Sequence, residues 1–216
     1  MNRHRATRVG RAFRVRRAGR PSGGRALRAA AALVVAVVAR PLPAQPRVLD
    51  DFEAPHDWVA GHSEDATARL GGAEGREGRA LVLEFALARA YSFALARKEV
   101  ALELPDDFVL SFDLRADSPL NTFEFKVEDS HGNVWWSRRM DYAFPQEWTT
   151  IQLRRRHLTY AWGNEPKAPL TDARSIDIVV ASGTGGSGRL YIDNLRFEPV
   201  DPAVARQARP KVTVSP

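Results

Sequence analysis

The chain has no cysteine and only five histidines in 216 residues. Without cysteine there can be no disulfide, no thiolate zinc site, no thiol nucleophile and no lipid-modified cysteine anchor. Beyond residue 45 the histidines are His56, His62, His131 and His157. They stand without HExxH, GxSxG, a Walker loop or any paired-ligand spacing, which argues against a histidine-based catalytic centre. Helical periodicity is missing beyond a turn or two, and no internal repeat is visible. The apolar run Ala29–Ala39 has eleven residues, about half of a bilayer core at a rise of roughly 1.5 Å per residue, too short for a transmembrane anchor.

What charge there is lies unevenly. The formal net charge of +6 and pI near 10.1 would suggest a partner rich in phosphate if spread over the surface. Residues 1–45, however, hold eleven of the 32 basic residues and none of the 26 acidic ones, so 21 basic residues face 26 acidic ones in the remainder. The body is mildly acidic, and nucleic acid is not an expected partner. A basic start, a short apolar run and small Ala44 within "RPLPAQP" are the parts of a signal peptide over 1–45, which predicts a secreted or periplasmic protein with no membrane span after cleavage. Residues 46–200 are enough for one domain, and "DPAVARQARPKVTVSP" at 201–216 reads as a linker or tail, a possible truncated start of a further module.

Within the body the dominant period is two. "FVLSFDLR" puts Phe108, Leu110, Phe112 and Leu114 on one face, and "FEFKVE" puts Phe123, Phe125 and Val127 opposite Glu124, Lys126 and Glu128. "ALVLEF", "WTTIQL", "SIDIVV" and "RLYIDNLRF" repeat the pattern between turn signals such as "GGAEGREG", "DSHGN" and "GTGGSG". Short strands at this spacing predict an all-β, antiparallel sandwich.

Four of the five tryptophans crowd into Trp135–Trp162. Trp135 and Trp136 are strand neighbours and must point to opposite faces. With His131 and Gly132 as a two-residue turn, Val127 pairs with Trp136 and Glu128 with Trp135. That register sends Trp136 inward and sets Trp135 beside Lys126 and Glu128, an open indole among hydrogen-bonding groups of the kind that stacks on a sugar ring. A turn one residue longer or shorter reverses the assignment. Trp148 and Tyr160 are expected in the core, Trp162 at a loop-built pocket, and Arg154 and Arg156 as contacts to hydroxyls or to an acidic sugar, with solvated edge charge as the plain alternative. Asp106 and Asp107 are turn residues after Pro105. A carboxylate pair for glycoside hydrolysis is not marked out, so a small glycosidase or lyase is the lesser expectation.

The ordered set "LDDFE", "GRALVLEF", "FEFKVEDSHGNVWW", "YAWG" and "GTGGSGRLYIDNLRF" resembles the galactose-binding-like jelly-roll modules of bacterial extracellular carbohydrate-active proteins, of the type found ahead of discoidin-type modules. The resemblance implies a jelly-roll β-sandwich that binds carbohydrate without catalysis and serves an adjacent discoidin-type or catalytic domain. A structural module that only packs against such a neighbour is the alternative. It also implies a structural calcium between the first and last strands, with Glu53 and Asp193 as the matching positions. Hard oxygen donors suit that ion, although no clustered Asp/Asn loop accompanies them.

Overall fold

Alternating apolar and polar residues become strands throughout the computed structural model, which describes residues 46–54, 57–88 and 90–200. The predicted signal segment 1–45, the tail 201–216 and His56 lie outside the described residues. In chain order the strands are β1 (Arg47–Asp50), β2 (Val59–His62), β3 (Ala66–Glu74), β4 (Arg79–Leu87), β5 (Phe93–Glu103), β6 (Phe108–Asp117), β7 (Asn121–Glu128), β8 (Val134–Tyr142), β9 (Thr149–Arg154), β10 (Thr159–Trp162), β11 (Asp172–Ala181) and β12 (Gly186–Pro199). One 3-10 turn, Arg155–His157, links β9 to β10. Among the described residues no helix is long and apolar enough to cross a membrane.

Two antiparallel sheets form. The first runs β3-β4-β12-β6-β9 with β1 added along β12, and the second runs β10-β8-β7-β11-β5-β2. The terminal strands pair, Arg47 with Phe197 and Val48 with Arg196. The inward residues of β6 and β7 meet across the sandwich, where Phe112 stacks on Phe125 with ring centres 5.7 Å apart. Both are fully buried together with Phe108, Phe123, Leu81, Leu83, Ile176 and Ile178. Each such side chain contributes on the order of 2 kcal/mol through loss of apolar surface to water. Without disulfides, this core carries the stability of the described domain.

Strand β5 was not legible in the sequence. Its inward positions include Ala94 and Ala96, whose small side chains give little apolar contrast with the charged Arg97–Glu99 segment. Small residues suit that place, because β5 pairs with β11 through Ala94–Val180 and Ala96–Ile178, and the large β11 side chains fill the layer.

Candidate functional site

The β7–β8 hairpin decides which tryptophan is open. Its loop has three residues, Ser130–Gly132, instead of two: the Gly132 N–H donates to the Asp129 carbonyl at 3.1 Å and the Asp129 N–H to the Asn133 carbonyl at 3.0 Å. Gly132 takes φ of +73°, the left-handed position that ends a three-residue hairpin loop. Val127 therefore faces Trp135, Lys126 faces Trp136 and Glu128 faces Val134. The expected register was one residue off, and the assignment of the tryptophans reverses. Trp135 is 9% exposed and belongs to the core, so it is not the stacking platform, while Trp136 stands on the open face.

Asp129 is the cause of that register. Its Oδ1 accepts the N–H groups of His131 and Asn133, both at 2.9 Å, and its Oδ2 accepts the Trp135 indole N–H at 2.9 Å and the Asn133 amide at 3.2 Å. Burial alone would raise its pKa, but these donated bonds hold it below the ordinary carboxylate range. The sequence signal was Asp129 followed three residues later by Gly132, a turn pattern distinct from a two-residue hairpin.

On the outer face of the second sheet one row of partners crosses all six strands: Thr159, Trp136, Lys126, Asp177, Arg97 and Val59. The adjoining row includes Arg138, Glu124, Val179, Leu95 and Gly61. Charges on these rows are matched. Arg97 grips Asp177 with two bonds of 2.7 and 2.9 Å and reaches Glu128 at 3.3 Å. Lys126 and Arg138 flank Glu124 at 3.0 and 3.1 Å. Glu124 and Asp177 are each 4% exposed, so their charges depend on these partners.

Trp162 closes one end of the face. Its ring meets Trp136 edge to face, centres 5.6 Å apart, with the Lys126 ammonium 5.3 Å from its centre. The chain leaves β10 immediately afterwards at Gly163, where φ is +148° and an added Cβ would lie 2.4 Å from the Cα of Asn133. The next residues are fastened to the β7–β8 turn, since the Asn133 Oδ1 accepts the Glu165 N–H at 2.8 Å and the Asn164 amide donates to the His131 carbonyl at 3.2 Å. Trp162 thus remains 48% exposed on a fixed backbone. On the far side of Lys126 a hollow of about 370 Å³ is lined by Tyr91, Phe93, Glu124, Lys126 and Arg138. Tyr91, 95% exposed, is a third open ring that sequence periodicity could not find, because it stands between strands.

The remaining expected contacts are dispersed. Arg154 pairs with Val109 in the first sheet, on the side away from inward Leu153, and Arg156 is exposed in the 3-10 turn. Neither joins the Trp136 row. Instead Arg155 lies over buried Trp135, 5.2 Å from its ring centre. Tyr160 packs against the core as expected. Trp148 does not: it sits on the outer side of the first sheet beside Arg115.

Glu53 and Asp193 do converge, on the turn between β3 and β4. Glu53 accepts the Arg79 N–H at 2.9 Å. Asp193 accepts those of Arg76, Glu77 and Asn194 at 2.9, 3.1 and 2.7 Å. Burial, partly offset by these bonds, raises the Asp193 pKa. The described residues contain no group of three or more acidic or histidine side chains able to hold a metal. The Asp113 carboxylate, register partner of Asp193 on β6, adds its charge to the same place and raises the Asp193 pKa further, against the bonds donated by the turn.

Comparison with known proteins agrees with this architecture. A family 11 carbohydrate-binding module from Clostridium thermocellum, solved with a β-1,3-1,4-mixed-linked tetrasaccharide, superimposes with a TM-score of 0.60 over 72% of this chain and 96% of its own at 16% identity. The fold is an all-β sandwich of two antiparallel sheets, like that of this module. The family 11 module of a cellulosomal cellulase of the same organism gives 0.57 at 17% identity over 72% of this chain and 95% of its own. An exo-β-agarase gives 0.51 at 18% identity over 72% of this chain but only 25% of its own. No protein-family model and no curated protein sequence matches the chain.

Proposed function

We propose that the domain is a non-catalytic carbohydrate-binding module and that the outer face of its second sheet holds a neutral poly- or oligosaccharide. The observation that carries this reading is the Trp136–Trp162 pair standing beside a belt of fully paired charges. An indole offers an apolar plane to the C–H face of a pyranose, while carboxylate and guanidinium edges exchange hydrogen bonds with its hydroxyls. Trp162 and Trp136 are the platforms, Lys126 and Glu128, expected from the sequence beside Trp135, flank these two instead, and Tyr91 extends the face toward Arg138.

Charge pairing favours a neutral ligand. An anionic sugar would have to draw Arg97 or Lys126 away from a buried carboxylate, and stripping such a charge of its partner costs several kcal/mol. Glu124 and Asp177 are committed to ion pairs, which favours binding over glycoside hydrolysis. The same proposal includes export through the basic, apolar start and service to an adjacent catalytic or discoidin-type domain, as the sequence led us to expect.

The test is affinity for soluble mixed-linked β-glucan and other neutral polysaccharides, measured by calorimetry on the parent, Trp162→Ala and Trp136→Ala. Either substitution is expected to weaken binding roughly ten- to a hundredfold, the usual worth of a central aromatic contact. Equal affinity in both variants would remove this face from the reading. A parent that binds no glycan would favour a module that only packs against a neighbour.

A further inference from the structure

The outer face of the first sheet carries a second aromatic row. Gly71, Val82, Tyr191 and Arg115 are successive register partners across β3, β4, β12 and β6. The Arg115 guanidinium lies 4.1 Å from the centre of the Tyr191 ring and 5.5 Å from that of Trp148. Its Nε is buried with no hydrogen-bond partner. Tyr191 also walls a hollow of about 360 Å³ over β3 and β4, whose floor is Gly71, Gly72 and Val82 and whose rim is Arg69, Glu84 and Arg189. Nothing lies within 4 Å of where a Cβ on Gly71 would stand, so the floor is open.

Charge differs here from the Trp136 face. Glu84 pairs with Arg189 at 2.9 Å. Arg69, the cross-strand partner of Glu84, has no ion-pair partner among the described residues, and neither does Arg115. One unpaired guanidinium therefore stands at the hollow and another behind its aromatic wall, and the fork of a guanidinium matches a carboxylate with two parallel bonds.

We infer that this hollow is a second glycan subsite, selective for a carboxylated sugar of the uronic acid class. The pyranose lies against Tyr191 over the glycine floor and its carboxylate meets Arg69. Arg115, held between Tyr191 and Trp148, fixes the ring and adds positive potential. The inference rests on the reading of the sandwich as a carbohydrate binder, but not on the Trp136–Trp162 face.

The experiment titrates the full chain with tetragalacturonate and, in parallel, with a neutral mixed-linked β-glucan tetrasaccharide, following tryptophan fluorescence and heat. Tyr191→Ala is expected to weaken tetragalacturonate roughly ten- to a hundredfold. Arg69→Gln, an exposed change with little risk to folding, is expected to weaken it about tenfold and to flatten its salt dependence. Trp162→Ala should leave it unchanged. The inference is overturned if the parent ignores tetragalacturonate, if both first-sheet variants bind it as the parent does, or if only Trp162→Ala loses it. Competition by polyglutamate as strong as by the uronate would show that the hollow reads charge alone, which also overturns it. Retained binding of the neutral tetrasaccharide in those cases leaves the module reading standing, whereas loss of both ligands removes the two together.

Discussion

The two outer faces of the sandwich share a backbone plan and differ in how their cations are held. On the second sheet Arg97, Lys126 and Arg138 each contact a carboxylate of the same face. On the first sheet Arg189 pairs with Glu84, but Arg115 is held by two aromatic rings and Arg69 contacts no acid among the described residues. A paired cation is a fixed donor edge with little net charge, suited to hydroxyls. An arginine without a carboxylate partner keeps its charge available to an anion. The same residue type thus offers different chemistry according to what lies one strand away.

The strongest way to break this contrast is to remove the arginines themselves. Arg97→Ala strands the buried Asp177 carboxylate, and a loss of about 3 kcal/mol is expected in urea denaturation, the lower end of such effects because Arg97 is partly exposed. Arg115→Ala forfeits only ring contacts and is expected to cost about 1 kcal/mol. Equal losses would mean that the pairing does not distinguish the faces.

Next in size is the ligand effect. Trp162→Ala should cost about 2 kcal/mol of neutral-glycan affinity with an unchanged melting temperature, while Tyr191→Ala leaves that affinity alone. Loss of neutral binding in Tyr191→Ala would merge the two faces into one site.

Asp129 sharpens the comparison because it keeps Trp136 outward. Asp129→Asn is expected to destabilise by about 2 kcal/mol at pH 7, since the charged oxygens accept four donated bonds. Its pKa is lowered in the folded state, so the stabilisation is complete above the unfolded value near 4 and disappears as pH falls through the lower folded value. The parent and variant stability curves should converge over that acidic window in denaturant titrations from pH 7 to pH 2. The smallest effect is expected from calcium. An ion bound at a hundred times its Kd would add about 2.7 kcal/mol, yet melting with added calcium and with chelator should agree within about 1 °C if hydrogen bonds alone close the Glu53–Asp193 turn.

Much of the sandwich was legible because strand period and core chemistry are local properties. Phe108, Phe112, Phe123 and Phe125 declare their inward faces by alternation. Strand β5 escaped because Ala94 and Ala96 carry too little apolar contrast. Tyr91 escaped because a loop residue has no period. Arg154 was assigned to the wrong neighbourhood, since parity along β9 says which side of its own strand it takes but not which sheet that strand joins.

From the residues alone came the all-β class, the acidic body, the exclusion of thiol chemistry and the fact that Trp135 and Trp136 oppose each other. Which of the two indoles meets solvent was decided in three dimensions, by the side chain of Asp129 gathering backbone N–H groups into a three-residue loop. A strand has a period of two, so a single residue in that loop reverses every side chain that follows. Alternation specifies a pair of faces; tertiary hydrogen bonds choose between them.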